Sequence, residues 1–143
     1  MIESTLTNLV GLTKEFFAKH WNASLIGKEA PEWCEPQEIR YGNPLPNHNK
    51  QGCYAFVDGE KVVYIGVGTS RGGGRYRGHG IGKRFQAYAK YVNGVYQIVD
   101  ERFKRCKAVT IGFEVEEAYL ANALELFLIG HMPTDHNKNA PGS

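Results

Sequence analysis

Apolar side chains recur at helical spacing over residues 3–19. Leu6, Leu9, Val10, Leu12, Phe16 and Phe17 fall on one side of a helix there. Ser4 or Thr5 stands where a capping hydroxyl is wanted. The pattern then stops. Pro31, Pro36, Pro44 and Pro46, interleaved with Asn, Gly and charge, predict that residues 20–51 are irregular, with room for a short turn of helix. Two compact apolar runs follow, Cys53–Val57 and Lys61–Gly66. Asp58-Gly59 lies between them, and a tight turn favours residues that tolerate positive φ. An antiparallel hairpin is expected.

Residues 67–82, VGTSRGGGRYRGHGIG, predict a loop rich in glycine and arginine. Helix is expected to resume near Ile81 or Gly82 and to run through KRFQAYAKYV, with Asn93-Gly94 as its C-terminal stop. Residues 95–105 suggest a second helix, 107–115 a third strand, and 117–131 a strong helix with Leu120, Leu124, Phe127 and Leu128 on one face. The tail from Met132 to Ser143 reads as loop. This order describes an α+β fold, a small, mostly antiparallel three-stranded sheet flanked by helices. No internal repeat is visible. The chain reads as one compact unit, an N-terminal helix and irregular extension over 1–51 followed by a main domain over 52–143.

At 143 residues and 42% hydrophobic, the chain suits a single core that needs no disulfide or structural metal. Its three cysteines, Cys34, Cys53 and Cys106, lie far apart and give neither a disulfide framework nor zinc spacing. They are expected to be buried thiols. There is no run long enough for a membrane span and no signal peptide pattern, so no membrane partner and a cytoplasmic location are expected. The net charge of +2 hides a strong asymmetry. Residues 1–60 carry 5 basic and 8 acidic side chains, residues 61–107 carry 11 and 2, and residues 108–143 carry 1 and 5. A basic middle between acidic flanks fits one face that binds a polyanion, although a solvated surface would show the same charge.

The chemistry-bearing residues are few. Tyr54 and Tyr64 lie on the two hairpin strands, where paired phenols can meet. Lys83 and Arg84 open the following helix. Glu125 is an isolated acid among Leu124, Leu126, Phe127 and Leu128. It is either on the solvent face of an amphipathic helix or a ligand for a hard divalent cation at a cleft edge. In the glycine-arginine loop, Arg71, Arg75 and Arg77 are candidate phosphate contacts. The loop is neither a Walker A motif nor a dinucleotide fingerprint.

Gly52-Cys53-Tyr54 followed by Tyr64-Ile65-Gly66 resembles the paired motif of the GIY-YIG nuclease family, with Cys53 in place of the usual isoleucine. The resemblance covers roughly residues 52–139, about 60% of the chain. It carries the family's helical arginine onto Arg84, its glutamate onto Glu125 in ELFLI, and its terminal asparagine onto Asn137, with Asn139 as a rival. Where many members have a histidine four residues after the arginine, this chain has Tyr88. His79, in the long loop, is a candidate stand-in.

The resemblance implies a metal-dependent endonuclease acting on nucleic acid, above all double-stranded DNA, and leaving 5′-phosphate and 3′-hydroxyl ends. Glu125 would hold Mg²⁺ (or Mn²⁺). Arg84 would bind phosphate with its planar fork. Tyr54 or Tyr64 would orient and deprotonate water, and Asn137 would brace the site. Lys83, Tyr88, Arg71, Arg75, Arg77 and His79 would contact the nucleic acid. Specificity would come from residues 1–51, from a homodimer or from a further domain. The competing readings are a catalytically degenerate nucleic-acid-binding module and a protein-interaction domain.

Overall fold

The computed structural model describes residues 2–40, 42–69 and 80–137. It is an α+β fold with a three-stranded antiparallel sheet and four helices. Helix α1 spans Leu6–His20 and α2 spans Ala23–Ile26. Strands β1 (Gln51–Asp58) and β2 (Lys61–Gly68) form the hairpin, and α3 is Gly80–Phe85. A second hairpin follows, β3 (Ala89–Val92) and β4 (Val95–Ile98), then β5 (Lys107–Phe113) and α4 (Leu120–His131). The main sheet has the order β2-β1-β5, and β3-β4 form a separate two-stranded sheet.

Thr5 caps α1, its side chain accepting from the Asn8 N–H at 3.1 Å. Leu9, Leu12, Phe16 and Phe17 line its buried face, as the spacing predicts. That face joins Cys53, Ala55, Val109, Ile111, Leu124 and Leu128 in one core. On the sheet's other face Tyr54, Phe56, Phe85, Tyr88 and Phe103 form a second, aromatic core. The sheet is therefore covered on both sides, and successive residues of β1 serve the two cores alternately.

The irregular stretch before β1 is tied to the main sheet. Cys34 donates its N–H to Thr110 O at 2.9 Å, and Gln37 bridges to Ala108, so this stretch covers the outer edge of β5. The opposite edge, on β2, takes both ends of the described chain. Thr5 bridges to Lys61, and the His136 N–H donates to Val63 O at 3.1 Å. Covering both edges leaves few unpaired backbone groups to template aggregation.

Two expected helices are corrected. The helix read from Gly82 onward ends at Phe85, and the helix expected over 95–105 is replaced by β4 and a single 3₁₀ turn at Glu101–Phe103. Asn93-Gly94 is the reason. Both residues have positive φ, 52° and 81°, and Val92 pairs directly with Val95 across them. This dipeptide makes a hairpin turn far more readily than it stops a helix when Tyr, Val and Ile flank it on both sides. Smaller differences lie at two element ends. β5 stops at Phe113, and α4 begins at Leu120 after a 3₁₀ turn at Val115–Glu117. None of the helices among the described residues is long and apolar enough to cross a membrane.

Candidate active site

The hairpin puts Tyr54 and Tyr64 on one face by means of a bulge. From the turn, Asp58 pairs with Lys61 and Val57 with Val62. An unbroken ladder would next set Tyr64 opposite Ala55, on the wrong face. Instead the register shifts between Phe56 and Val57, so that Phe56 pairs with Tyr64 and Tyr54 with Gly66. Val63 is the extra residue. Cross-strand partners share a face, so the shift brings Tyr64 to the side of Tyr54. Their ring centroids are 6.3 Å apart.

Gly66 completes the arrangement. A Cβ built there would fall inside the van der Waals envelope of Tyr54 Cζ and Oη. The Tyr54 ring therefore lies directly over the Gly66 backbone, in space that any side chain would occupy. This gives a steric reason for the glycine of Tyr64-Ile65-Gly66.

Tyr54 is fully buried, and its hydroxyl shares a 2.7 Å hydrogen bond with the Tyr88 hydroxyl. Tyr88 belongs to the turn after α3, where its N–H donates to Phe85 O at 2.9 Å. Tyr88 is 5% exposed, and its hydroxyl is engaged in that phenol–phenol contact. Tyr64 is half-buried, with its ring 6.3 Å from that of Tyr88. Lys83 and Arg84 are exposed on α3.

Electrostatics link these groups. Burial holds the Tyr54 phenol well above its usual 10, Tyr88 and Tyr64 add to this, and Arg84 opposes it. Burial, with Tyr88, pushes Tyr64 up to about 12, while Arg84 pulls it down and Glu125 pushes it up. Arg84 is itself raised, chiefly by hydrogen bonding to Tyr54. Glu125 comes from α4, on the other side of the sheet. Burial raises its carboxyl, and the Arg84 charge lowers it. Tyr64 thus feels Tyr88, Arg84 and Glu125, and Glu125 feels Arg84.

Asn137 is buried and sits on the backbone of β2 rather than in the charged cluster. Its Oδ1 accepts from the Ile65 N–H at 2.8 Å, and its Nδ2 donates to Ile65 O at 3.0 Å. Thr134 Oγ1 also donates to Asn137 Oδ1. The side-chain amide therefore acts as one more strand residue beside Tyr64. Asn137→Ala would leave the Ile65 N–H and C=O unpaired, at about 1–3 kcal/mol for each group. A clear fall in Tm is expected, and a thermal melt indistinguishable from the parent's would show that this anchor bears no load.

Arg71, Arg75, Arg77, His79 and Asn139 lie outside the described residues. Arg102 is a residue that the sequence reading missed. Its guanidinium is held by Asp100 through Nε–Oδ1 at 3.0 Å and Nη2–Oδ2 at 2.8 Å. Its Cζ lies 4.7 Å from the Phe103 ring centroid and 5.9 Å from that of Tyr64. Hydrogen bonding to Arg102 holds the Asp100 carboxyl below its usual value. The nearest sequence signal was the D-x-R spacing, which a helix reading of 95–105 conceals.

For a metal, no group of three or more His, Cys, Asp or Glu side chains exists among the described residues. That donor set does not suit a closed zinc or calcium cage. A single half-buried carboxylate, that of Glu125, does suit Mg²⁺, which often takes one protein carboxylate with waters and phosphate oxygens. No protein-family model, curated protein or solved structure gives a match to this chain.

Proposed function

We propose that this protein is a metal-assisted endonuclease of the GIY-YIG type that hydrolyses phosphodiester bonds in DNA. The observation that carries the reading is the clustering of Tyr54, Tyr64 and Tyr88, whose ring centroids lie 5.8–6.3 Å apart. The charges of Arg84 on α3 and Glu125 on α4 act on Tyr64 in opposite senses. Water attacks phosphorus, the 3′-oxygen leaves, and the ends are 5′-phosphate and 3′-hydroxyl. Negative charge grows on the phosphoryl oxygens, so fixed cations stabilise the transition state most. Arg84 is exposed and offers its fork to the phosphate. Mg²⁺ or Mn²⁺ held by Glu125 would supply Lewis-acid charge to the same oxygens.

The two tyrosines divide the work. Tyr54 is fully buried and bonded to Tyr88, so it positions its neighbours and stays protonated. Tyr64 is half-buried and can reach water. At neutral pH its phenol is protonated, and it orients the attacking water through its hydroxyl. It accepts the proton only as far as Arg84 and Arg102 favour a phenolate.

Tyr64→Phe keeps the ring and deletes the hydroxyl. Cleavage should fall by about 10²-fold or more, with Tm nearly unchanged. In the parent, the rate should climb with pH between neutrality and pH ~9, because ionisation lies far above, near 12. Loss of that climb in Tyr64→Phe supports the assignment, and an unchanged rate rejects it.

A second reading, a binding module without turnover, draws support from one feature. Tyr88 stands where a histidine would titrate near neutral pH, and burial pushes Tyr54 and Tyr64 away from neutrality. Binding without divalent-metal-dependent cleavage distinguishes it.

A further inference from the structure

The β3-β4 hairpin pairs only with itself in the described sheets and leaves apolar surface in solvent. Tyr91 is 62% exposed and Val95 55%. The Tyr91 and Tyr96 rings lie 5.1 Å apart. Between this hairpin, α3 and the segment before β1 is a cavity of about 450 Å³, walled by Leu45, Phe85, Tyr91 and Tyr96, with Arg40 and His48 also lining it. Its volume lies within the range of about 300–1,000 Å³ usual for small-ligand sites.

Phe85 joins this cavity to the proposed active site. It lines the cavity, and its ring centroid is 5.5 Å from that of Tyr54. Arg84, the proposed phosphate ligand, is the next residue on α3, and Lys83 is exposed beside it. Successive nucleotides rise by about 3.4 Å along a stacked strand. A base one or two positions from a phosphate at Arg84 is thus within reach of the cavity. Aromatic walls offer ring faces rather than a set of directed donors and acceptors, which suits stacking on any base. A base can present its face to them only after leaving the duplex stack.

We propose that this cavity binds an unstacked nucleobase, so that the preferred substrate is DNA with an unpaired nucleotide beside the cleaved phosphate. This rests on the nuclease reading above and names its substrate class. Arg40, which lines the cavity and pairs with Glu38 at 3.5 Å, and Lys83, exposed on α3 next to the lining residue Gly82, favour a polyanion over an apolar protein partner here. An unpaired nucleotide also carries the smallest unstacking cost.

The test is equilibrium binding in EDTA, read by fluorescence anisotropy, with two labelled duplexes of the same sequence. One is fully paired, and the other carries a single unpaired aminopurine whose own emission reports stacking. The parent should bind the second about tenfold tighter or more, with a change in aminopurine emission. Tyr91→Ala and Tyr96→Ala should erase the preference while leaving affinity for the paired duplex within about twofold, since the phosphate contacts remain. Tyr91→Phe should retain the preference, because stacking needs the ring and not the hydroxyl. Equal affinity for both duplexes, or a preference that survives both alanine variants, overturns the cavity assignment. So does a hairpin that holds two copies of the chain together, shown if Tyr91→Ala lowers the sedimenting mass without changing the preference. Paired-duplex binding with Mg²⁺-dependent cleavage but no preference rejects only the cavity. Absence of both binding and cleavage rejects the nuclease reading itself.

Discussion

Replacing Glu125 with glutamine should lower metal-dependent cleavage by about 10²-fold or more while raising the Tm of the metal-free protein, melted in EDTA at neutral pH. Loss of activity follows from losing the anionic oxygens that suit a divalent cation. The gain in stability follows from burial. In the folded protein, burial raises the Glu125 carboxyl above its ordinary 4.5, against the opposing charge of Arg84. A raised folded pKa means that the native state binds this proton more tightly than the unfolded chain does. The resulting stabilisation is fully present below 4.5 and is lost as pH rises through the folded value. At neutral pH the parent therefore carries a carboxylate that its surroundings disfavour, and glutamine removes that charge. The Tm difference should shrink as pH falls below 4.5. A structural Glu125 would give the opposite pair of results, with unchanged cleavage and a lower Tm. Natural sites that accept such a cost in stability are commonly functional ones.

Gly66→Ala should disable the site from beneath. The added methyl meets the Tyr54 ring and hydroxyl, which are fully buried and bonded to Tyr88. The ring cannot retreat, because Phe56, Phe85 and Tyr88 pack around it at centroid distances of 6.0, 5.5 and 5.8 Å. Overpacking of this kind costs about 1–3 kcal/mol. Cleavage should fall with it even where the protein remains folded, because the Tyr54 hydroxyl is bonded to Tyr88 at 2.7 Å and its ring packs beside Tyr64. Gly59→Ala is the control. Nothing stands within 4 Å of a Cβ there, although its φ of 62° makes the turn itself unfavourable. It should lower Tm without the matching loss of rate per folded molecule. Equal rates in Gly66→Ala and the parent would mean that Tyr54 need not sit where it does.

What the sequence revealed and what it concealed follow from the range of the forces involved. α1, the first hairpin, β5 and α4 are strongly periodic, and each appears close to where its apolar residues place it. The second hairpin was hidden because Ala89–Val92 and Val95–Ile98 are only four residues each and sit between segments that look helical. Asn93-Gly94 held the information, and its positive φ values fit a hairpin turn. The spacing from Tyr54 to Tyr64 was visible, but their common face was not, since it depends on a one-residue shift in the ladder at Val63. Asn137 was placed by offset alone, and its two bonds to Ile65 are a tertiary fact about the edge of β2. Arg102 and the Tyr54–Tyr88 bond depend on the α3 turn and the second hairpin folding back over the sheet, which no local pattern specifies.

The most direct measurement is digestion of a supercoiled plasmid by the purified chain with Mg²⁺ and with EDTA, followed by chemical mapping of the ends. The nuclease account predicts nicked or linear DNA only with the divalent cation, ends that ligase rejoins without prior phosphorylation, and no product from Glu125→Gln or Tyr64→Phe on the same time scale. Intact plasmid in both conditions would contradict the account. Cutting by the Glu125→Gln protein at the parent rate would contradict it equally.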